Sequence, residues 1–203
     1  MSDTYRSPDR SALDRLAYAQ EGYFTAAQAA RVGFSAQLLA HHTRTGRFER
    51  VRRGLYRLRD YPAAPHEEIR AAWLAMGDRA VVSHESALEL HGLSDVIPDR
   101  VHLTVPREAR GTRTPPGVVL HTRTRPPSGA DVTRRDGLLV TSPARAIVDA
   151  AAAGTAPEQI EAAIKQALHE GMTTASQLRR AAAAADGRVP DLIDRSLEGA
   201  NGE

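Results

Sequence analysis

The sequence predicts an α+β chain in two parts, and three observations predict it. Short helical segments and a two-stranded ribbon fill residues 11–58. The stretch RDYPAAPHEE, with Pro62 and Pro65, then stops regular structure. Beyond it, strands alternating in apolar and polar residues are followed by a run of helices, which reads as a mixed α/β domain with a small antiparallel sheet. The boundary falls at residue 62, so 1–62 and 63–203 are separate domains, the tail from Gly187 adding one weak helix.

In the first part, Ser11 to Gln20 places Leu13, Leu16, Ala17 and Gln20 at helical spacing, and Gly22 ends the run. Thr25 with Gln28 three residues on forms a capping box ahead of a helix of about two turns, stopped by Gly33. Ser35 caps a third helix, AQLLAHHTRTG, in which Leu38, Leu39 and His42 face inward. Gln37, His41 and Arg44 stand at i, i+4 and i+7 and share the opposite face. A hairpin follows at once, GRFERVRRGLYRL, with Arg53-Gly54 as its turn. Helix, short helix, Gly33-Phe34-Ser35 turn, capped helix and ribbon is the order of a winged helix-turn-helix.

Charge separates a DNA-binding module from a plain interaction module of the same order. The chain carries a formal charge of only +2, but residues 1–60 hold eleven arginines and six acids, +5, and the rest stands at −3. Seven arginines fall between Arg44 and Arg59 against Glu49 alone, whereas a solvated face mixes both signs. Of 27 basic residues only Lys165 is lysine, a bias that a GC-rich genome would also produce, so arginine usage alone decides nothing. The expected partner is double-stranded DNA. Gln37, His41 and Arg44 would meet base edges, Gln suiting adenine and Arg guanine. Arg52 and Arg53 at the wing turn, with Arg47, Arg50 and Arg57 along the ribbon, would meet phosphates or the minor groove. Ser35 opens a helix whose N–H groups suit a phosphate.

In the second part, Glu67 to Met76 reads as a helix with Trp73 buried, and Ser83 caps another, HESALELHG, ending at Gly92. VHLTVP and VVLHTR alternate as strands, with the loop REARGTRTPPG between them. DVTRRDGLLVTS reads as a strand pair turning at Asp136-Gly137. Helices follow over Pro143–Ala153, Pro157–Gly171 and Thr174 to about Ala184.

Several chemistries are excluded or disfavoured. The absence of cysteine removes disulfides and thiolate metal sites and fits a cytoplasmic location. No apolar run approaches a membrane span, so no membrane partner is expected. SHES at Ser83–Ser86 has the residue types of a hydrolase triad, yet helical neighbours at i and i+1 point apart, and a cap explains the segment. His84 and His91 share a helix face without a third ligand or an H-x-x-x-H pair, so no metal is expected. His102 and His121 read as cross-strand neighbours. No Glu-x-Lys nuclease motif is present, because Lys165 belongs to an i, i+4 helix pair with Glu161. No phosphate-binding glycine loop is present either. Neither an enzyme nor a cofactor is expected.

The run GYFTAAQAARVGFSAQLLAHHTRTGRFERVRRGLYRLRDYP resembles the N-terminal winged-helix domain of AbiEi-family antitoxins. SHESALELHGLSDVIPDRVHLTVP and VTSPARAIVDAAA are similar to the second domain of the same family, so the resemblance covers most of the chain. It implies the antitoxin of a type IV toxin–antitoxin system of the abortive-infection kind. Such a protein represses its own operon and counteracts a cognate nucleotidyltransferase toxin, whose Gly-Ser and spaced-aspartate signature this chain lacks. The residues alone leave three alternatives open: a stand-alone winged-helix transcriptional regulator with an oligomerisation or ligand-binding second domain, an interaction protein for an acidic partner, and a DNA-cleaving enzyme. A homodimer on DNA stays open as well.

Overall fold

The computed structural model describes residues 7–77, 79–111, 113–183, 185 and 187–200. The chain divides at Gly77 into two compact units. Among the described residues no helix is long and apolar enough to cross a membrane.

In the first unit, α1 (Arg10–Tyr18) starts where the Asp9 carboxylate accepts from the Ala12 N–H at 2.8 Å, and it buries Leu13 and Ala17. Gly22 then turns the chain at φ +85°, and a Cβ there would lie 2.6 Å from the Tyr61 side chain, so only glycine fits. Next comes a strand that the sequence pattern does not reveal, β1 (Tyr23–Thr25), because three residues are too few to show alternation. The Thr25–Gln28 capping box forms as expected and opens α2 (Ala26–Arg31). α3 (Ala36–Arg44) follows, with Ser35 Oγ accepting from the Leu38 N–H at 3.2 Å. The ribbon is β2 (Phe48–Arg52) and β3 (Leu55–Leu58), and β1 joins it in the antiparallel order β1-β3-β2.

That sheet has two apolar faces. On one, Phe24, Phe48 and Leu58 pack with Leu13, Ala17, Ala29 and Leu39 from the three helices and with Phe34 from the turn between α2 and α3. The Phe24 and Phe48 rings meet edge to face at 5.0 Å. On the other, Tyr23 and Leu55 pack with Ala71 and Leu74 of α4 (Glu67–Met76), and half-buried Val51 and Trp73 border the cluster. Trp73 is thus half-buried where the sequence suggests full burial. The compact unit also reaches beyond the proline break at residue 62. Pro62 and Pro65 interrupt the helix pattern, but they do not separate α4 from the sheet that needs its cover. Arg70, 4 % exposed, clamps this helix to Glu21 through two hydrogen bonds of 2.6 Å.

The second unit holds a five-stranded mixed sheet in the order β6-β5-β4-β8-β7, formed by β4 (Val81–Val82), β5 (Val101–Pro106), β6 (Val118–Arg123), β7 (Val132–Arg135) and β8 (Leu138–Thr141). The β7–β8 hairpin is antiparallel and turns at Asp136-Gly137, both with positive φ, as the dipeptide predicts. The pairs β5–β6 and β4–β8 run parallel, which strand periodicity cannot signal. α5 (His84–His91) follows β4, and α6 (Pro143–Ala153) packs against it. α7 (Pro157–His169), α8 (Ala175–Ala182) and α9 (Val189–Ala200) complete the unit. α9, where the sequence suggests one weak helix in the tail, buries Ile193 and Leu197.

Candidate nucleic-acid interface

The α2–α3 turn is built by local bonds. Gly33 takes φ +88°, the Phe34 N–H donates to the Ala29 carbonyl at 3.0 Å, and the Phe34 ring drops into the core. The orientation of α3 follows from its buried side. Leu39 and His42 face inward, the His42 ring lying 5.0 Å from Phe48 and 6.0 Å from Phe34. Burial pushes the His42 pKa down, and nearby Arg47 adds to that, so the ring is a neutral packing element. With that side fixed, Gln37, His41 and Arg44 lie exposed along the opposite face. The Ser35 hydroxyl is engaged as the cap, which leaves the earliest backbone N–H groups of α3 as its open donors.

The ribbon arginines divide into two sets. Arg50 and Arg53 are exposed, with no carboxylate paired to either among the described residues. The Gly54 carbonyl accepts from the Ala26 N–H at 2.8 Å, which holds the wing tip close to the start of α2. Arg52 is half-exposed beside them. Arg47 and Arg57 are engaged inside the unit. Arg47 reaches both oxygens of Asp14, at 3.1 and 3.2 Å, and its guanidinium lies 5.6 Å from the Phe48 ring centre. Arg57 donates to Glu67 at 2.7 Å and to the carbonyls of Tyr61 and Pro62, with its guanidinium 5.6 Å from the Tyr23 ring centre. The sequence reading assigned all five to DNA, Arg52 and Arg53 at the turn and the others along the ribbon. Strand alternation turns Arg57 toward α4, whose acidic first turn receives it.

In the second unit the SHES segment departs from expectation in one respect. Ser83 makes no side-chain cap, and its hydroxyl meets His84 Nδ1 at 2.8 Å, although the sequence reading places these neighbours pointing apart. The reason is backbone: His84 takes φ +56°, outside the helical region, which swings its ring back over Ser83. Ser83 is wholly buried, so this contact opens onto no substrate site. The two serines secure α5 to β5. Ser83 N–H donates to the His102 carbonyl at 3.1 Å, Ser86 Oγ accepts from the His102 N–H at 3.0 Å, and Thr104 Oγ1 donates to Ser83 Oγ at 2.8 Å. His91 Nε2 meets the Thr141 carbonyl at 2.8 Å, which satisfies this buried ring. Asp149, 2 % exposed, is held by Arg145 at 3.0 Å and Arg123 at 3.4 Å.

Residues 11–59 match the family described as transcriptional regulator, AbiEi antitoxin, and residues 80–195 match the AbiEi antitoxin C-terminal domain. No curated protein matches the chain. Among solved structures, the crystal structure of the RV2827C protein from Mycobacterium tuberculosis superposes with a TM-score of 0.58 at 17 % identity, covering 96 % of this chain and 80 % of that one, a likeness of fold. The matched domains are those of a DNA-binding regulator and an antitoxin, not of a catalyst. With both halves matched in order and the second match alone covering more than half of the sequence, the chain belongs to the AbiEi antitoxin family.

Proposed function

We infer that this antitoxin represses its own operon and counteracts a nucleotidyltransferase toxin through its second unit. The observation that carries the DNA half is the continuous exposed set Gln37, His41 and Arg44 on α3, with Arg50 and Arg53 on the adjoining ribbon. α3 enters the major groove, where Arg44 suits guanine O6 and N7 and Gln37 suits adenine N6 and N7. Arg50 and Arg53 lie against phosphates, and the first N–H groups of α3 receive another. His41 completes the base-facing side. Arg47 and Arg57 act one step removed, by fixing the ribbon against α1 and α4.

The toxin half rests on the match of residues 80–195 to the antitoxin C-terminal domain. The test has two arms. A gel shift with the chain's own promoter against random duplex should show a preference that Gln37→Ala and Arg44→Ala reduce. Co-expression with its cognate nucleotidyltransferase toxin should restore growth. A stand-alone regulator would pass the first arm and fail the second.

A further inference from the structure

Three histidines of the second unit meet at one point, and neither the DNA-binding nor the antitoxin reading uses them. His84 opens α5, His102 lies on β5 and His121 on β6. Parallel pairing sets His102 opposite Val119 and His121 opposite Thr104, so the two imidazoles are diagonal neighbours on one sheet face. His121 Nε2 lies 3.1 Å from His102 Nδ1. The His84 ring stacks on His121 with centroids 3.5 Å apart. One ligand nitrogen from each residue falls within 4.8 Å of the other two.

The geometry points to a site for a divalent transition ion of the zinc class, held by ring nitrogens of His84, His102 and His121, with water completing the coordination. Neutral imidazole is the ligand form such ions take, and three of them suit zinc with one position open. Burial lowers all three rings in pKa, His84 to about 2 and His121 to about 4, so they are unprotonated at neutral pH. In the tautomer whose Nδ1–H donates to Ser83 Oγ, an oxygen that also accepts from Thr104, the His84 Nε2 lone pair is left for the ion and the Ser83 contact is the outer hydrogen bond that orients a metal-bound imidazole. The left-handed backbone of His84, uncommon outside glycine, is what brings its ring over the strands.

Two nitrogens on a tetrahedral zinc lie about 3.3 Å apart. The His102–His121 pair already has that spacing, and a tilt of His121 out of its 16° stack with His84 closes the third side. Both strand histidines are only partly buried, so an ion has a route in. Glu85 and Asp99 favour positive charge at His102, where Arg100 opposes it; Arg123 opposes it at His84 and His121 and Arg145 at His84, but both of these arginines are paired with Asp149. Bound there, the ion ties the first turn of α5 to β5 and β6, across the same seam that Ser83 and Ser86 bridge.

Titration of the full chain, stripped with chelator, with Zn²⁺ and separately with Co²⁺ tests this site. One equivalent should bind and raise the melting temperature, and cobalt should give the strong visible bands of a four-coordinate ion. His121→Ala and His102→Gln should each weaken binding by at least a hundredfold, and Ser83→Ala by roughly tenfold. His41→Ala should not change it. The wild-type chain gives a second measurement that needs no variant: zinc should shift the ring resonances of His84, His102 and His121 and spare those of His41 and His169. Absence of binding, or binding that survives His121→Ala, or ring shifts elsewhere, would overturn the assignment.

Discussion

The two sides of the three-stranded sheet in the first unit use the same residue type for opposite ends. Arg44, Arg50 and Arg53 stand exposed around α3 and the wing. Arg57 and Arg70, on the side covered by α4, are tied to Glu67 and Glu21 at 2.7 and 2.6 Å. The difference teaches that an arginine-rich run is not a binding surface until the acids that neutralise part of it have been located. Glu67 and Glu21 lie outside the run, one of them beyond the proline break, and no local count includes them.

The sharpest test of this contrast is truncation. A fragment ending at residue 77 should melt cooperatively, whereas one ending at residue 62 loses Ala71, Leu74 and both acid–arginine ties of α4 and should show no cooperative transition by circular dichroism. Equal melts for the two fragments would mean that α4 is dispensable. Within the full chain, Arg70→Met leaves half-buried Glu21 without this partner and should cost about 2 kcal/mol in denaturant unfolding, below the loss for a fully buried pair because Glu21 keeps some water. Arg53→Ala, on the exposed side, should stay within about 0.5 kcal/mol.

Acid separates the two units. His84, His91, His102 and His121 of the second unit have lowered pKa values, against His42 in the first. Below the ordinary value of 6.5 the unfolded chain binds protons that these rings, with their lowered pKa values, refuse. Stability present above pH 6.5 is therefore lost as pH falls toward the folded values, His84 alone removing about 1.4 kcal/mol per pH unit. The single tryptophan, Trp73, reports the first unit, and circular dichroism reports both. At pH 5 the circular-dichroism transition should begin before the tryptophan transition; coincident transitions would break the contrast.

On DNA the exposed side should carry the specificity. Gln37→Ala or Arg44→Ala should lower the operator-to-random preference by about 1–3 kcal/mol each, and Arg57→Ala should leave it unchanged. The smallest effect is in salt. Binding with about four or five phosphate contacts should fall with a log–log slope of about −4, and Arg53→Ala should reduce that slope by about 1. An Arg57 variant that changed the slope as much as Arg53→Ala would return Arg57 to the DNA side.

Much of this molecule was determined by sequence alone, wherever the cause is local. Thr25 with Gln28, Ser35, and Asp136-Gly137 specify caps and a turn through residues no more than three apart, and the structure forms each of them. The exposure of Gln37, His41 and Arg44 follows from helical spacing once Leu39 and His42 are buried. Tertiary structure alone decided which arginines are paired, because Asp14, Glu21 and Glu67 approach them only after the sheet closes on α1 and α4. It alone turned His84 back over Ser83 and brought it to His102 and His121. That meeting depends on one left-handed residue and on the parallel register of two strands joined by a long crossover. Neither leaves a periodic trace, since periodicity records which face a residue takes and not which distant residue shares it.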